Sequence, residues 1–270
     1  MRCQVQYFRQ VYMIPYERKS RIIEFLEQNG KAEVAGLANM LGVVTETIRR
    51  DLREIEKQGI LLRTHGGAVL REPGAKEYPV LVRVMKNSAE KEKICRRAAA
   101  FIDDGELIFI DNSSTLINLI KYIDDRLRVS ILTNCVQVLQ EYAKLRKENI
   151  TMICSGGVFN KTNMSLSGDV AGHYPGDLFP AKAFVSCHGV SAGFGFTDGN
   201  VLEVGFKREM IGRAEKKFFL LDHTKFGRCG PVRLGDLKIC DVLVTDKAPD
   251  EGIIQPIFHA HPELELVITG

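Results

Sequence analysis

Apolar residues recur at helical spacing near the start of the chain: Ile22, Ile23 and Leu26, then Val34, Leu37, Ala38 and Leu41. The spacing predicts two amphipathic helices, with Asn29-Gly30 as the break between them and Gly42 as a tight turn after the second. In the helix that follows, Ile48, Leu52 and Ile55 share one face, so Arg49, Arg50 and Arg53 are thrown to the opposite side. Gln58-Gly59 ends that helix. Ile60 to Thr64 then reads as a strand, His65-Gly66-Gly67 as a turn, and Ala68 to Leu70 as the returning strand.

Beyond Pro79 the pattern changes to short apolar runs that alternate with helical stretches, each run ending in small or polar residues. Leu107–Ile110 leads into Asp111-Asn-Ser-Ser-Thr115, Val129–Leu132 into Thr133-Asn134, and Met152–Cys154 into Ser155-Gly156-Gly157. Phe184-Val185, Phe218–Leu221 and Val242–Val244 lead into Cys187-His-Gly189, Asp222-His-Thr-Lys225 and Thr245-Asp246. Helices are predicted over Ser114–Tyr122, Asn134–Asn149 and Leu202–Ala214. Such alternation predicts an α/β domain, its largely parallel sheet covered on both faces. The Pro- and Gly-bearing stretch Arg71-Glu-Pro-Gly-Ala-Lys-Glu-Tyr-Pro79 reads as a linker. The predicted organisation is therefore a loose extension (1–12), a three-helix unit with a hairpin wing (13–70), a linker (71–87) and an α/β domain (88–270).

An arginine-bearing helix beside a wing suits the major groove of double-stranded DNA, where guanidinium groups pair with guanine and hold phosphates. Thr45, Thr47, Arg49, Arg50 and Arg53 on the helix, with Arg63 and His65 on the wing, form the candidate DNA-binding set. Net charge does not make this case. Residues 44–71 carry six Lys or Arg against four acids, and the whole chain only +3, so the argument rests on placement. The competing reading is a solvated helix whose arginines pair with Glu46, Asp51, Glu54 and Glu56.

In a parallel sheet, ligands bind outside the carboxyl ends of the strands. Ser113, Ser114 and Thr115 are predicted there at a strand-to-helix turn, a place for an anion. Gly156-Gly157 allows close approach of the backbone to a ligand, and Asp111, Asp222 and Asp246 offer acceptors to sugar hydroxyls. Lys207 and Lys225 can hold a phosphate or orient the carboxylates. Taken singly, such residues are more often caps, turns and surface ion pairs.

The seven cysteines are scattered, with no Cys-x-x-Cys, which argues against a disulfide framework or a structural zinc. The histidines lack the spacing of a zinc motif, so no metal and no cofactor is expected. There is no apolar run of membrane-spanning length and no signal-peptide core at Met1, which predicts a cytoplasmic protein with no membrane partner.

Leu41 to Ala68, with its Thr-Ile-Arg-Arg-Asp-Leu and Arg-Thr-His-Gly-Gly-Ala strings, closely resembles the winged helix-turn-helix of DeoR-type bacterial regulators. Val44 departs from the family's usual Ser at the N-cap of the recognition helix. Thr45 can take over as cap, starting the helix one residue later. The second domain resembles the DeoR-type effector domain from Lys91 to Asp246, through Asp111-Asn-Ser-Ser-Thr115, Thr133-Asn134, Gly156-Gly157, Ser167-Gly168, Glu203 with Lys207 and Arg208, Asp222–Gly227 and Thr245-Asp246. Ser113 stands where the family has Gly, and matters if that position needs positive φ. The resemblance implies a fold related to ribose-phosphate isomerases and CoA transferases, and an effector site for a phosphorylated sugar at Asp111, Ser113, Ser114, Thr115, Thr133, Asn134, Gly156, Gly157, Glu203, Lys207, Asp222 and Lys225. It also implies a homo-oligomeric (dimer or tetramer), non-enzymatic repressor of sugar-metabolism genes. The alternative is a sugar-phosphate isomerase-like enzyme that carries a DNA-binding domain.

Overall fold

The computed structural model describes residues 15–57, 59–70, 80–168 and 177–270, in two compact units divided between Tyr78 and Pro79. The stretch read as a loose extension, 1–12, and residues 71–79 of the expected linker lie outside the described residues.

The first unit runs α1 (Pro15–Asn29), β1 (Lys31–Glu33), α2 (Val34–Leu41), α3 (Thr45–Lys57), β2 (Leu61–Thr64) and β3 (Gly67–Leu70). The apolar stripes read from sequence are its core, with Ile22, Leu26, Leu37, Ile48, Leu52 and Ile55 almost fully buried. Beneath them Arg18 binds Asp51 through two hydrogen bonds, one of 3.1 Å, tying α1 to α3 in a buried pair. The predicted hairpin is joined by β1, which the sequence reading left out, giving the antiparallel order β1-β3-β2. This third strand accounts for Gly67: a Cβ there would lie 2.1 Å from the Ala32 carbonyl oxygen.

The second unit contains seven parallel strands: β4 (Leu107–Ile110), β5 (Val129–Thr133), β6 (Ile150–Cys154), β9 (Lys182–Val185), β12 (Lys216–Leu220), β14 (Val242–Thr245) and β15 (Glu265–Ile268). Their order is β15-β14-β12-β9-β4-β5-β6. Successive residues of a strand feed opposite cores. Ile108 and Ile110 pack with Ile131, Phe184 and Phe218 toward α5 (Ser88–Ala99) and α6 (Val136–Lys144). Phe109 packs with Leu132, Val185 and Phe219 toward α7 (Val201–Arg213) and α8 (Glu251–Ala260). Burial on both faces is why the strands read as unbroken apolar runs. A small antiparallel sheet, β10 (Gly189–Ser191), β11 (Gly195–Asp198) and β13 (Val232–Gly235), covers part of the second face, and β7 (Val158–Asn160) pairs with β8 (Ser165–Ser167).

Three local readings need correction. Residues 80–85, assigned to the linker, form the helix α4 (Val80–Met85), whose first amide donates to Thr162 O at 3.1 Å. The helix expected over Ser114–Tyr122 is instead a series of turns with a short 3-10 helix at Leu119–Tyr122. Its backbone bonds, Leu116 N to Ser113 O and Leu119 N to Leu116 O, span three residues, and Ser113 Oγ accepts from the Thr115 amide at 3.1 Å. Such local hydroxyl bonds compete with α-helix formation. The helix expected over Asn134–Asn149 is shorter, Val136–Lys144.

Candidate functional site

On α3 the structure gives both readings of the arginines some substance. Glu46 accepts from Arg49 at 3.3 Å and from Arg53 at 3.2 Å, and all three side chains are at least half exposed. These guanidinium groups hold their carboxylate below its ordinary pKa but remain open to water. Arg50 is exposed and, among the described residues, makes no hydrogen bond or ion pair. On the wing, Arg63 binds Glu56 at 2.8 Å, bracing β2 against α3, while His65 is exposed at the turn. Exposed pairs of this kind contribute little, so phosphates can displace them. Thr45 is the first helical residue and does not replace Val44 as cap. Val44 precedes the helix, its carbonyl accepting from Thr47 at 3.0 Å, with its side chain 70% exposed.

In the second unit the chain fills the sheet outward from β4 through β5 to β6, then crosses back to β9 on the other side of β4. The β4/β9 boundary is thus the topological switch point, where crevices form beyond the carboxyl ends. Asp111 follows β4 and Ser186 follows β9. Lys207, on α7, joins them: its Nζ lies 2.8 Å from Asp111 Oδ2, 2.6 Å from Asp198 Oδ2 and 3.0 Å from Ser186 O. Asp198 was not singled out from sequence, for it ends a short antiparallel strand and only the fold brings it to Lys207. Burial pushes the Asp111 carboxyl up to about 6 against the pull of Lys207. Burial acts on Asp198 in the same sense, but Lys207 outweighs it and holds that carboxyl below its usual range. The two carboxylates in turn hold Lys207 above its ordinary value, against the cost of burial. Lys207 is a fixed cation.

Around this triad, among the described residues, several buried acceptors find no donor: Asp111 Oδ1 and Asn134 Oδ1 at the ends of β4 and β5, and Gln137 Oε1 in the first turn of α6. Asn134 Nδ2 is turned the other way, toward Leu166 O at 3.4 Å and Asn112 Oδ1 at 3.5 Å. Beyond β6, Gly156 and Gly157 take φ of 70° and 116°, a conformation that a side chain would strain. Beyond β12, Asp222 accepts from Asn87 Nδ2 at 3.1 Å and from the Thr224 amide at 3.0 Å. Burial would raise the Asp222 carboxyl, but Lys225, the Thr224 hydroxyl, Lys91 and the Thr224 amide keep it low. Lys225 is half-buried and, among the described residues, has no ion-pair partner.

Other predicted residues are committed to holding the fold. Thr133 Oγ1 donates to Ile110 O at 2.7 Å and accepts from the Cys135 amide at 3.0 Å, locking β5 to β4. Glu203 accepts from Asn160 at 3.2 Å, from Asn163 at 3.0 Å and from the Ser165 hydroxyl, clamping the β7–β8 hairpin to α7. Asp246 binds the His223 amide and ring, each at 2.7 Å. Ser113 does not have the positive φ that would have called for glycine. With no α-helix after it, the loop Asp111–Thr115 has hydroxyls to offer an anion but no helix dipole, contrary to the sequence reading. Among the described residues no group of three or more His, Cys, Asp or Glu converges as a metal site, and no helix is long and apolar enough to cross a membrane.

Comparison with known proteins matches residues 18–73 to the DeoR-like helix-turn-helix domain and residues 86–247 to the DeoR C terminal sensor domain. The chain is 32% identical to the HTH-type transcriptional regulator GolR of Listeria innocua, over 89% of this chain and 94% of that protein. It is 28% identical to the glycerol-3-phosphate regulon repressor of Escherichia coli, over 93% of this chain and 98% of the relative. With the L-fucose operon activator of Escherichia coli the identity is 31%, over 85% and 94%.

Proposed function

Because the chain belongs to the DeoR family of transcriptional regulators, we propose that it represses sugar-metabolism genes and that a phosphorylated sugar, bound at the switch-point crevice, relieves the repression. The observation that carries the ligand reading is the set of buried, donorless oxygens on Asp111, Asn134 and Gln137. Each such oxygen costs roughly 1–3 kcal/mol while unmet, and a polyol is a ligand rich in the donors they need. Lys225 and the hydroxyls of the Asp111–Thr115 loop offer a phosphate its partners.

The protein works in the cytoplasm on double-stranded operator DNA, as a homo-oligomer whose paired recognition helices meet half-sites about 34–36 Å apart. The first unit performs the DNA binding and the second the sensing. It converts no sugar phosphate, since kinship of fold does not bring activity with it. Calorimetry against hexose, pentose and ketose phosphates, with a turnover assay beside it, tests this. Binding below millimolar without conversion is expected. No binding by any member removes the effector reading, and turnover by pure protein promotes the isomerase-like alternative. Deleting the gene should raise transcription of its neighbours; a fall would make the protein an activator.

A further inference from the structure

Lys91, apart from the Lys207 triad, is among the most deeply buried charged side chains of the second unit, 5% exposed. It lies in the first turns of α5. Its Nζ donates to the Arg83 carbonyl of α4 and to Ser114 Oγ at 3.2 Å. Among the described residues no carboxylate lies within ion-pair distance of it. Among the described residues, the charged groups that act on it most are Asp222 and Lys225 beyond β12, Arg83 on α4 and Lys86 in the turn between α4 and α5. Asn87, held at φ 51°, draws that turn onto Asp222. A buried ammonium bonded only to neutral oxygens is costly, and burial pushes Lys91 down to about 7. Among the described residues Lys91 meets only neutral oxygens, and an anion with several acceptor oxygens would give it a counter-charge.

We propose that the phosphate of the effector is held by Lys91, Ser114 and Lys225, and that in taking Lys91 it competes with the bond from Lys91 to the Arg83 carbonyl. This deepens the sugar-phosphate reading and rests on it. Ser114 and Lys225 were visible as candidates in the sequence; Lys91 and the link to α4 are new. The link matters because α4 is the first described element after the DNA-binding unit in the chain. It is held at one end by Thr162 O and along its length by Arg83, which donates to Asn163 Oδ1 at 3.0 Å, and by Lys91. An effector that withdraws one of these restraints has a differential affinity for two placements of α4, which is what coupling requires.

The test uses the full chain and calorimetry with inorganic phosphate and the sugar-phosphate panel, at pH 8 in two buffers of different ionisation heat. At that pH phosphate monoesters are already dianions, so a proton taken up on binding belongs to the protein. Net uptake approaching one proton per site is expected. Lys91→Met should weaken binding of phosphate and of sugar phosphate by about tenfold or more and abolish the uptake. It should also leave operator affinity insensitive to effector. Ser114→Ala, at a half-buried position, should weaken binding by a smaller factor and guards against loss of fold in the first variant. If both variants bind sugar phosphate as tightly as the unmodified chain, with the same uptake, the Lys91 site is wrong and the sugar-phosphate reading stands. If Lys91→Met weakens binding but saturating sugar phosphate still releases DNA, the link through α4 is wrong. If the unmodified chain binds nothing in the panel, both fall.

Discussion

Replacing Lys207 by methionine keeps most of the side-chain volume and removes the cation that Asp111 and Asp198 share. Asp111 is fully buried, Asp198 15% exposed and Lys207 6% exposed, so water cannot take over the lost charge. Breaking a buried pair in this way costs roughly 3–5 kcal/mol, because the stranded carboxylates keep their desolvation penalty. For a domain of this size that is a drop in melting temperature of roughly 6–20 °C. The pH dependence gives the sharper signature. Asp111 is already raised to about 6 with Lys207 beside it, and without Lys207 both carboxyls must move higher. An acid whose folded pKa lies above its unfolded value, about 3.9 for Asp, binds more protons when folded, so stability is recovered as pH falls through the folded pKa. The deficit of Lys207→Met should therefore be largest near pH 8 and shrink by pH 5.5. Denaturant melts of variant and unmodified chain at the two pH values measure it. A deficit below about 1 kcal/mol at pH 8, or one equal at both pH values, would refute the assignment of Lys207 as counter-ion to a buried carboxylate pair.

Arg50→Ala should leave the first unit folded, since the side chain is exposed and unpaired, while operator binding loses roughly 1–3 kcal/mol if it reads a base, or the salt slope falls by about one if it holds a phosphate. Gel shifts at two salt concentrations separate these, and unchanged affinity would remove α3 as the recognition helix. Arg49→Ala should behave alike, less the modest cost of first releasing Glu46. Val44→Ser should stabilise the first unit by about 0.5–2 kcal/mol by giving α3 a hydroxyl cap; a melt that does not rise would mean the first-turn amides are already satisfied.

The elements legible in the sequence were those whose periodicity survives local inspection. Ile48, Leu52 and Ile55 marked α3, and the two-sided apolar runs at Leu107–Ile110 and Val242–Val244 marked central parallel strands. Three-residue strands of mixed polarity, such as Lys31–Glu33 and Val158–Asn160, are too short to show a period, and the sequence reading passed over them. Leu116, Leu119 and Ile120 are buried as a helical face would be, but the hydroxyls of Ser113 and its neighbours divert the backbone into turns. The site divides in the same way. Asp111, Ser114, Asp222 and Lys225 sit at strand ends and could be found from that alone. Asp198 closes an antiparallel strand and Lys91 lies in the charge-mixed run Ser88-Ala-Glu-Lys-Glu-Lys93, where a solvated face is the default reading; only the fold buries them.

The central claim is that one chain joins operator binding to a sugar-phosphate site, and operator affinity with and without effector tests it most directly. DNA upstream of the protein's own neighbouring genes is titrated by gel shift in the absence and presence of each saturating sugar phosphate, with Lys225→Ala in parallel. Nanomolar-range binding that one member of the panel weakens by about 5- to 150-fold is predicted, with Lys225→Ala still bound to DNA but deaf to that member. Operator affinity that no saturating member of the panel alters, or a response that survives Lys225→Ala unchanged, would contradict the account.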